Sequence, residues 1–211
     1  ALPGFVNCHN SPDSAFNNNV RATVNILNLS LKYNVKKILF ASSMGVDNFR
    51  YNPSIYGLTK LICEMYGHTY AKIKKMNITN CRLSNVFGPY SDHKNSVVHN
   101  FIRRIISKKS MEIHGNGLQK RDLIFVEDVC SALIKELSVK SNKTEININT
   151  NQFLRIIDLK RCLDDISKKN NRFRYIKTPE GYDDRIYKKP FIKLKKKLMK
   201  NLELTYNWYK R

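Results

Sequence analysis

Acidic residues are scarce in this chain. Asp and Glu number 17 against 38 Lys and Arg in 211 residues, a formal charge of +21. Such an imbalance attracts polyanions, whether nucleic acid, an anionic membrane surface or a phosphorylated ligand, without choosing among them. Cysteine is sparse and unpaired in pattern: Cys8, Cys63, Cys81, Cys130 and Cys162 are far apart, odd in number and form no CxxC. A disulfide scaffold is excluded, and a reduced, cytoplasmic protein is the simplest expectation. Eight glycines and six prolines exclude collagen-like and low-complexity chains. No apolar run reaches the roughly 18 residues that a membrane span needs. The length allows one large domain or two small ones, with a core closed by packing alone.

What is present is an alternation of helical and strand signals. After Pro12-Asp13-Ser14, Phe16, Val20, Val24, Leu27 and Leu31 recur at helical spacing, which predicts a helix over 15–33. Lys36–Ala41 is a short apolar run with the form of a buried parallel strand. A long helix is expected over 56–76 and a strand over 78–83. Helix, strand, helix, strand with short links implies a parallel sheet. Further on, helices are expected over 97–107, 127–137, 156–167, 188–200 and 202–209. Strands are expected over 111–114, 122–126, 145–149 and 173–177, the first two around the turn Gly115-Asn116-Gly117. No internal repeat is visible.

The informative motif is Tyr56-Gly57-Leu58-Thr59-Lys60. On a helix, positions i and i+4 share a face, so the phenol and the ammonium point to one cleft. A neighbouring cation favours phenolate and lowers the tyrosine from its usual pKa of about 10. The result is a base for a sugar or alcohol hydroxyl. Thirteen residues before Tyr56, Ser42-Ser43 closes the strand, where parallel sheets place their ligands. Taken alone, either motif reads more simply as a solvated helix face or a strand-to-loop turn; the combination is more specific.

With these residues in view, the chain resembles the extended short-chain dehydrogenase/reductases, specifically nucleotide-sugar epimerases and dehydratases of the UDP-glucose 4-epimerase type. Asn19-Val20-Arg21-Ala22-Thr23-Val24-Asn25 resembles the family's NVxGTxN helix. Ile38–Ser43 resembles the strand with the catalytic Ser or Thr, and Tyr56 and Lys60 match YxxxK. Arg82-Leu83-Ser84-Asn85-Val86-Phe87-Gly88-Pro89 resembles RxxNVYGP. Ile113–Gly117 followed by Arg121–Val129 resembles YGDGxxxRDFIYVDDV, Asp183–Tyr187 the late arginine segment, and Leu202–Tyr209 the LEEGLxxTxxWY end.

The resemblance implies an α/β fold: an incomplete Rossmann-type parallel sheet over 1–90, carrying Ser-Tyr-Lys, with a smaller substrate-binding lobe over 91–211, some of whose segments return to the sheet. It implies catalytic roles for Ser43, Tyr56 and Lys60, and a cofactor site of Asn19, Ser42, Tyr56 and Lys60. Asn85, Val97, Val98, His114, Arg121 and Arg185 would hold a nucleotide-diphosphate sugar, the arginines by charge-assisted contacts to phosphate. The implied cofactor is NAD, with NADP left open, and no metal is expected. A homodimer through helices 15–33 and 56–76 is implied, with neither membrane nor nucleic acid as partner. Where dehydratases carry Asp-Glu after the catalytic Thr, Met44-Gly45 follows Ser43, which is compatible with C4 epimerisation. The family's GxxGxxG loop, which binds the cofactor pyrophosphate, does not occur in these residues. The expectation is a fragment of a complete enzyme, or a remnant completed by a second polypeptide, with Lys36–Ala41 left as an unpaired sheet edge. Two other readings stay open: a non-catalytic remnant that binds a nucleotide sugar or a partner, and a basic polyanion-binding protein.

Overall fold

The computed structural model describes residues 1–47, 49, 53–91, 94–139, 143–178 and 196–211. They form two compact units. The first comprises Ala1–Ser84 and Cys130–Asn149; the second comprises Asn85–Val129 with 150–178 and 196–211.

In the first unit, α1 (Phe5–Asn10) and α2 (Pro12–Ala15) lead through a wide helical turn, Phe16–Arg21, into α3 (Ala22–Lys32). The helix expected over 15–33 is thus a single helical run with a π-type segment at its start. Strand β1 (Ile38–Ser43) follows, then a 3-10 turn (Met44–Val46), helix α4 (Ile55–Ile73) and strand β2 (Ile78–Leu83). β1 and β2 pair in parallel from Ile38↔Ile78 to Ser43↔Leu83, and β2 pairs in parallel with β6 (Glu145–Ile148). The sheet order β1-β2-β6 leaves β1 with a partner on one side only among the described residues. The 19 residues of α4 supply the long crossover that parallel strands need. Leu27, Ile38 and Ile78 form the small buried core, flanked by Phe40, Tyr70 and Met76.

The second unit holds a three-stranded sheet in the order β3 (Asn85–Phe87), β5 (Lys120–Phe125), β7 (Phe153–Arg155), parallel between β3 and β5 and antiparallel between β5 and β7. All six residues of β5 are buried, as befits a central strand. A separate parallel pair joins β4 (Met111–His114) to β8 (Phe173–Ile176). The strands on either side of Gly115-Asn116-Gly117 therefore do not pair with each other. Met111 and Ile113 take partners some 60 positions later, at Phe173 and Tyr175. Helix α5 (Val97–Ile106) buries Val98, Phe101, Ile102 and Ile105, an i, i+3, i+4, i+7 stripe. That stripe packs with residues of α7 (Ile156–Ser167) and α8 (Lys196–Tyr209) into the main core, with Leu159, Leu163, Leu202 and Tyr206. Helix α6 (Val126–Ser138) opens with Glu127 and Asp128, acids placed to complement its N-terminal dipole. The expected helix over 188–200 falls partly outside the described residues; what is described begins at Lys196.

Gly88 closes β3 with φ +152°, and a β carbon there would lie 2.4 Å from Val126 Cγ1. Gly88→Ala is expected to cost about 2–3 kcal/mol from backbone strain and overpacking together. An unchanged urea midpoint for that variant would show that the turn is more pliable than its geometry indicates.

Candidate active site

The site of the first unit is built where the end of β1 meets the first turns of α4. Ser54, in extended conformation, caps α4 by accepting the Gly57 N–H at 3.0 Å. Glycine at 57 permits close approach: a β carbon there would sit 3.0 Å from Ser54 Oγ and 3.4 Å from the Gly45 carbonyl. Tyr56 and Lys60 then project one turn apart from the same helix.

Three successive residues of β1 each engage this helix. The Ala41 carbonyl accepts Lys60 Nζ at 2.7 Å. Ser42 Oγ donates to Glu64 Oε1 at 2.5 Å. The Ser43 hydroxyl stands beside the Tyr56 phenol. Strand alternation separates the two serines: Ser42 is turned to the buried Glu64, and Ser43 is the one beside the phenol. Ser43 Oγ also accepts the Gly45 N–H at 3.1 Å, which fixes the turn that follows. Phe5 packs its ring against Tyr56 at 5.4 Å, and Lys60 Nζ lies 5.9 Å from the Tyr56 ring centre.

The electrostatics differ from the expectation that Lys60 lowers the phenol. Burial raises the Tyr56 pKa above its ordinary value; the Ser43 hydrogen bond offsets part of this, and Cys8 adds to the rise. Burial likewise pushes the Lys60 ammonium down, against the opposing pull of Cys63, Cys8 and Glu64. The local field comes from desolvation first and charge pairing second.

Asn19 sits in the π-type segment, 2% exposed. Its amide accepts from Leu2 N at 2.6 Å and donates to Leu2 O at 3.2 Å and Thr59 Oγ1 at 3.0 Å. Its polar atoms thus tie the start of the chain to α4 between Tyr56 and Lys60. A cavity of about 240 Å³ lies behind Lys60, lined by Asn19, Thr23, Ala41, Ser42 and Glu64 among others. Neither Tyr56 nor Ser43 lines it.

Glu64 continues the Tyr56–Lys60 face by one more turn, and that i, i+4, i+8 spacing is the signal by which it could have been found. Its carboxylate accepts Arg82 Nε at 2.9 Å and Arg82 NH2 at 2.6 Å. Arg82 also reaches Asp47 at 2.6 Å and Glu145 at 2.7 Å. Glu64, His68 and Glu145 bring possible metal ligands within 4.8 Å of one another, but the Arg82 guanidinium already serves both carboxylates.

In the second unit, Asn85 is exposed on β3 and donates through Nδ2 to the Asp122 carbonyl at 3.1 Å. Val97 and Val98 open α5, where backbone N–H groups have no intrahelical acceptor. The Val98 side chain belongs to the core, which leaves only its backbone for a ligand. His114 ends β4, with Nδ1 3.4 Å from the Lys177 carbonyl. Arg121 is buried on β5 and donates to the Lys120 carbonyl at 2.9 Å. Asp122, which the motif reading passed over, is buried and accepts four contacts from Thr150 and Asn151. Arg185 lies outside the described residues.

A model of the NAD dependent epimerase/dehydratase family matches residues 1–149. The chain belongs to that family. It is 35% identical over 187 residues to a putative UDP-glucose 4-epimerase of Methanocaldococcus jannaschii, covering 80% of this chain and 59% of that protein. It is 26% identical over 159 residues to a UDP-glucuronate 4-epimerase of Thermodesulfobacterium geofontis, covering 66% of this chain and 48% of that protein. Among solved structures, the UDP-glucose 4-epimerase of Thermotoga maritima with UDP-glucose superposes with a TM-score of 0.86 at 26% identity, over 100% of this chain and 75% of that chain. This epimerase/dehydratase chain thus spans less than two thirds of the length of the curated relatives it matches. The parallel α/β sheet is the family's fold. No helix among the described residues is long and apolar enough to cross a membrane.

Proposed function

We propose that this chain carries the proton-transfer and substrate-binding residues of an NAD-dependent nucleotide-sugar epimerase acting at C4 of a UDP-sugar. The observation that carries the reading is that Tyr56 and Lys60 stand one turn apart on α4, with Lys60 Nζ 5.9 Å from the phenol ring centre and Ser43 beside the phenol at the end of β1. Epimerisation at C4 needs the C4 hydroxyl proton removed and later returned. Tyr56 takes that proton on its phenolate oxygen and gives it back as the phenol. Ser43 shares the same hydroxyl and sets its direction. The residues present fit the nicotinamide end of the cofactor: Lys60 uses one of its three N–H donors on Ala41, which leaves donors for a ribose hydroxyl. Bound NAD supplies reversible hydride acceptance at the carbon that bears this hydroxyl. The pyrophosphate-binding GxxGxxG run is not among the 211 residues.

The turn after Ser43 supports epimerisation over dehydration. Removal of water needs an extra carboxylic acid and base beside the sugar. Met44 and Gly45, which follow Ser43, supply neither. In the second unit, Asn85, Arg121, His114 and the Val97 and Val98 amides are proposed to hold the nucleotide diphosphate, a role also proposed for Arg185. Exposed Ile26, Leu29, Met65 and Ile73 on α3 and α4 support a homodimer through those helices.

The test is interconversion of UDP-glucose and UDP-galactose, or of the matching glucuronates, with NAD present. Failure on every UDP-sugar together with binding of UDP would favour the non-catalytic reading. A second variant separates chemistry from folding. Lys60→Met removes a buried ammonium whose pKa is pushed down by burial. It is expected to lose at least about 100-fold in turnover. The melting temperature should stay within about 3 °C of the parent or rise, because the cost of burying a charge disappears. A collapse of stability instead would assign Lys60 a structural role.

A further inference from the structure

The Ser43–Tyr56 pair depends on a strand end and a helix keeping register, and an ion cluster joins that strand end to that helix. The Arg82 guanidinium sits on β2 with its side chain 14% exposed. It clasps Glu64 of α4, Asp47 at the end of the 3-10 turn and Glu145 of β6. Glu64 is 2% exposed, and its Oε1 in turn receives the Ser42 hydroxyl. Ser43 is therefore bracketed. The residue before it is tied to Arg82 through Glu64, and the turn after it is tied to Arg82 through Asp47.

We propose that Arg82 is a positioning residue: acting through Glu64 and Asp47, it holds the 42–47 segment so that the Ser43 hydroxyl stays on the Tyr56 phenol. The inference rests on the proposed role of the Ser43–Tyr56 pair and extends it to a group that touches neither residue. A planar fork with five N–H donors suits the task, because it can serve several carboxylates from different segments in fixed directions. Lysine, a point charge with three rotatable donors, can hold fewer of them in place. The buried Glu64 needs that partner: an ionised carboxylate out of water is tolerated only when it is paired and hydrogen-bonded. The guanidinium is in turn raised above its ordinary value, first by the Glu64 hydrogen bonds.

The experiment is NMR on the 211-residue chain with tyrosine labelled at the phenolic carbon, Tyr56 being assigned by its loss in Tyr56→Phe. Ser43→Ala supplies the signature of a phenol without its serine. Arg82→Gln and Asp47→Asn are both expected to move the Tyr56 signal toward that signature at constant pH. Hydrogen-exchange protection of the Gly45 amide, which donates to Ser43 Oγ, should fall about tenfold in the same variants. Arg82→Lys should restore both readouts in part. Parent-like Tyr56 and Gly45 signals in a folded Arg82→Gln chain would overturn the proposal. If Arg82→Gln does not fold, Asp47→Asn decides the matter, since its side chain is 36% exposed and its change removes only one arm of the clasp; parent-like signals there overturn the proposal as well. These readouts need no turnover. Absence of epimerase activity counts against the proposed function alone, and unchanged spectra count against the positioning role alone.

Discussion

Tyr56→Phe is expected to lower nucleotide-sugar turnover by about 10²–10⁴-fold, the usual range for loss of a general acid–base group. The change removes one oxygen. The ring keeps its edge contact with Phe5, so packing is preserved. Ser43, which stands beside the lost hydroxyl, keeps a partner in the Gly45 N–H. KM for the UDP-sugar should therefore change little while kcat falls, the pattern of an interaction made in the transition state. The pH dependence has a definite sign. In the proposed reaction Tyr56 acts as phenolate, and burial holds its pKa above the ordinary phenol value. Turnover should climb with pH across the neutral and alkaline range, and that climb should vanish in Tyr56→Phe. Stability runs the other way. A phenol whose folded pKa is raised contributes fully below the unfolded value of about 10 and loses that contribution as pH rises toward the folded one. The parent should therefore lose more stability than Tyr56→Phe above about pH 10. A parent-like kcat in the variant would remove Tyr56 from the chemistry.

The parts legible in the sequence are those fixed by nearest neighbours. β1 opens with an apolar run, and α5 shows its stripe in Val98, Phe101, Ile102 and Ile105 without help from any other segment. Tyr56 and Lys60 could be paired because helical spacing alone brings them to one face. What stayed hidden depends on distant partners. The three-residue strands β3 and β7 exist only because β5 lies between them. The Gly115-Asn116-Gly117 turn suggests two neighbouring strands, yet long-range pairing assigns β4 and β5 to different sheets. In the site, Ser42 and Ser43 are indistinguishable until strand alternation sends one to Glu64 and the other to Tyr56. The field at the phenol was misjudged for the same reason. A sequence shows that a lysine is near, but it does not show how much water both groups have lost. Arg82 stands in the sequence only as the first residue of the RxxNVYGP-like motif, and the structure shows what it holds: carboxylates 18, 35 and 63 positions away in the chain.

Asp122→Asn should cause a large loss of stability, about 3–5 kcal/mol, although it replaces no carbon and creates no cavity. Asp122 lies buried on the central strand β5. Its Oδ1 accepts the Thr150 hydroxyl at 2.5 Å and the Thr150 N–H at 3.1 Å, and its Oδ2 accepts the Asn151 N–H at 2.8 Å. The two backbone N–H groups can only donate and the hydroxyl donates here, so the carboxylate satisfies all three at once. An asparagine amide keeps one acceptor and turns an NH₂ toward the remaining donors. The variant forfeits charge-assisted bonds worth about 1.5–3 kcal/mol each and leaves buried donors unpaired, effects that overlap and do not simply add. The turn itself gives little relief, since Asn151 holds φ at +56° and the segment enters β7 directly at Phe153. For a chain of this size the melting temperature should fall by about 6–20 °C, at about 2–4 °C per kcal/mol. The Asn85 side chain gives an internal control. It binds the Asp122 backbone carbonyl, which the substitution leaves in place. At a temperature where the variant is folded, affinity for UDP should therefore stay near the parent's while the melting temperature drops. Loss of UDP affinity with an unchanged melting temperature would instead put the Asp122 carboxylate itself in the nucleotide site.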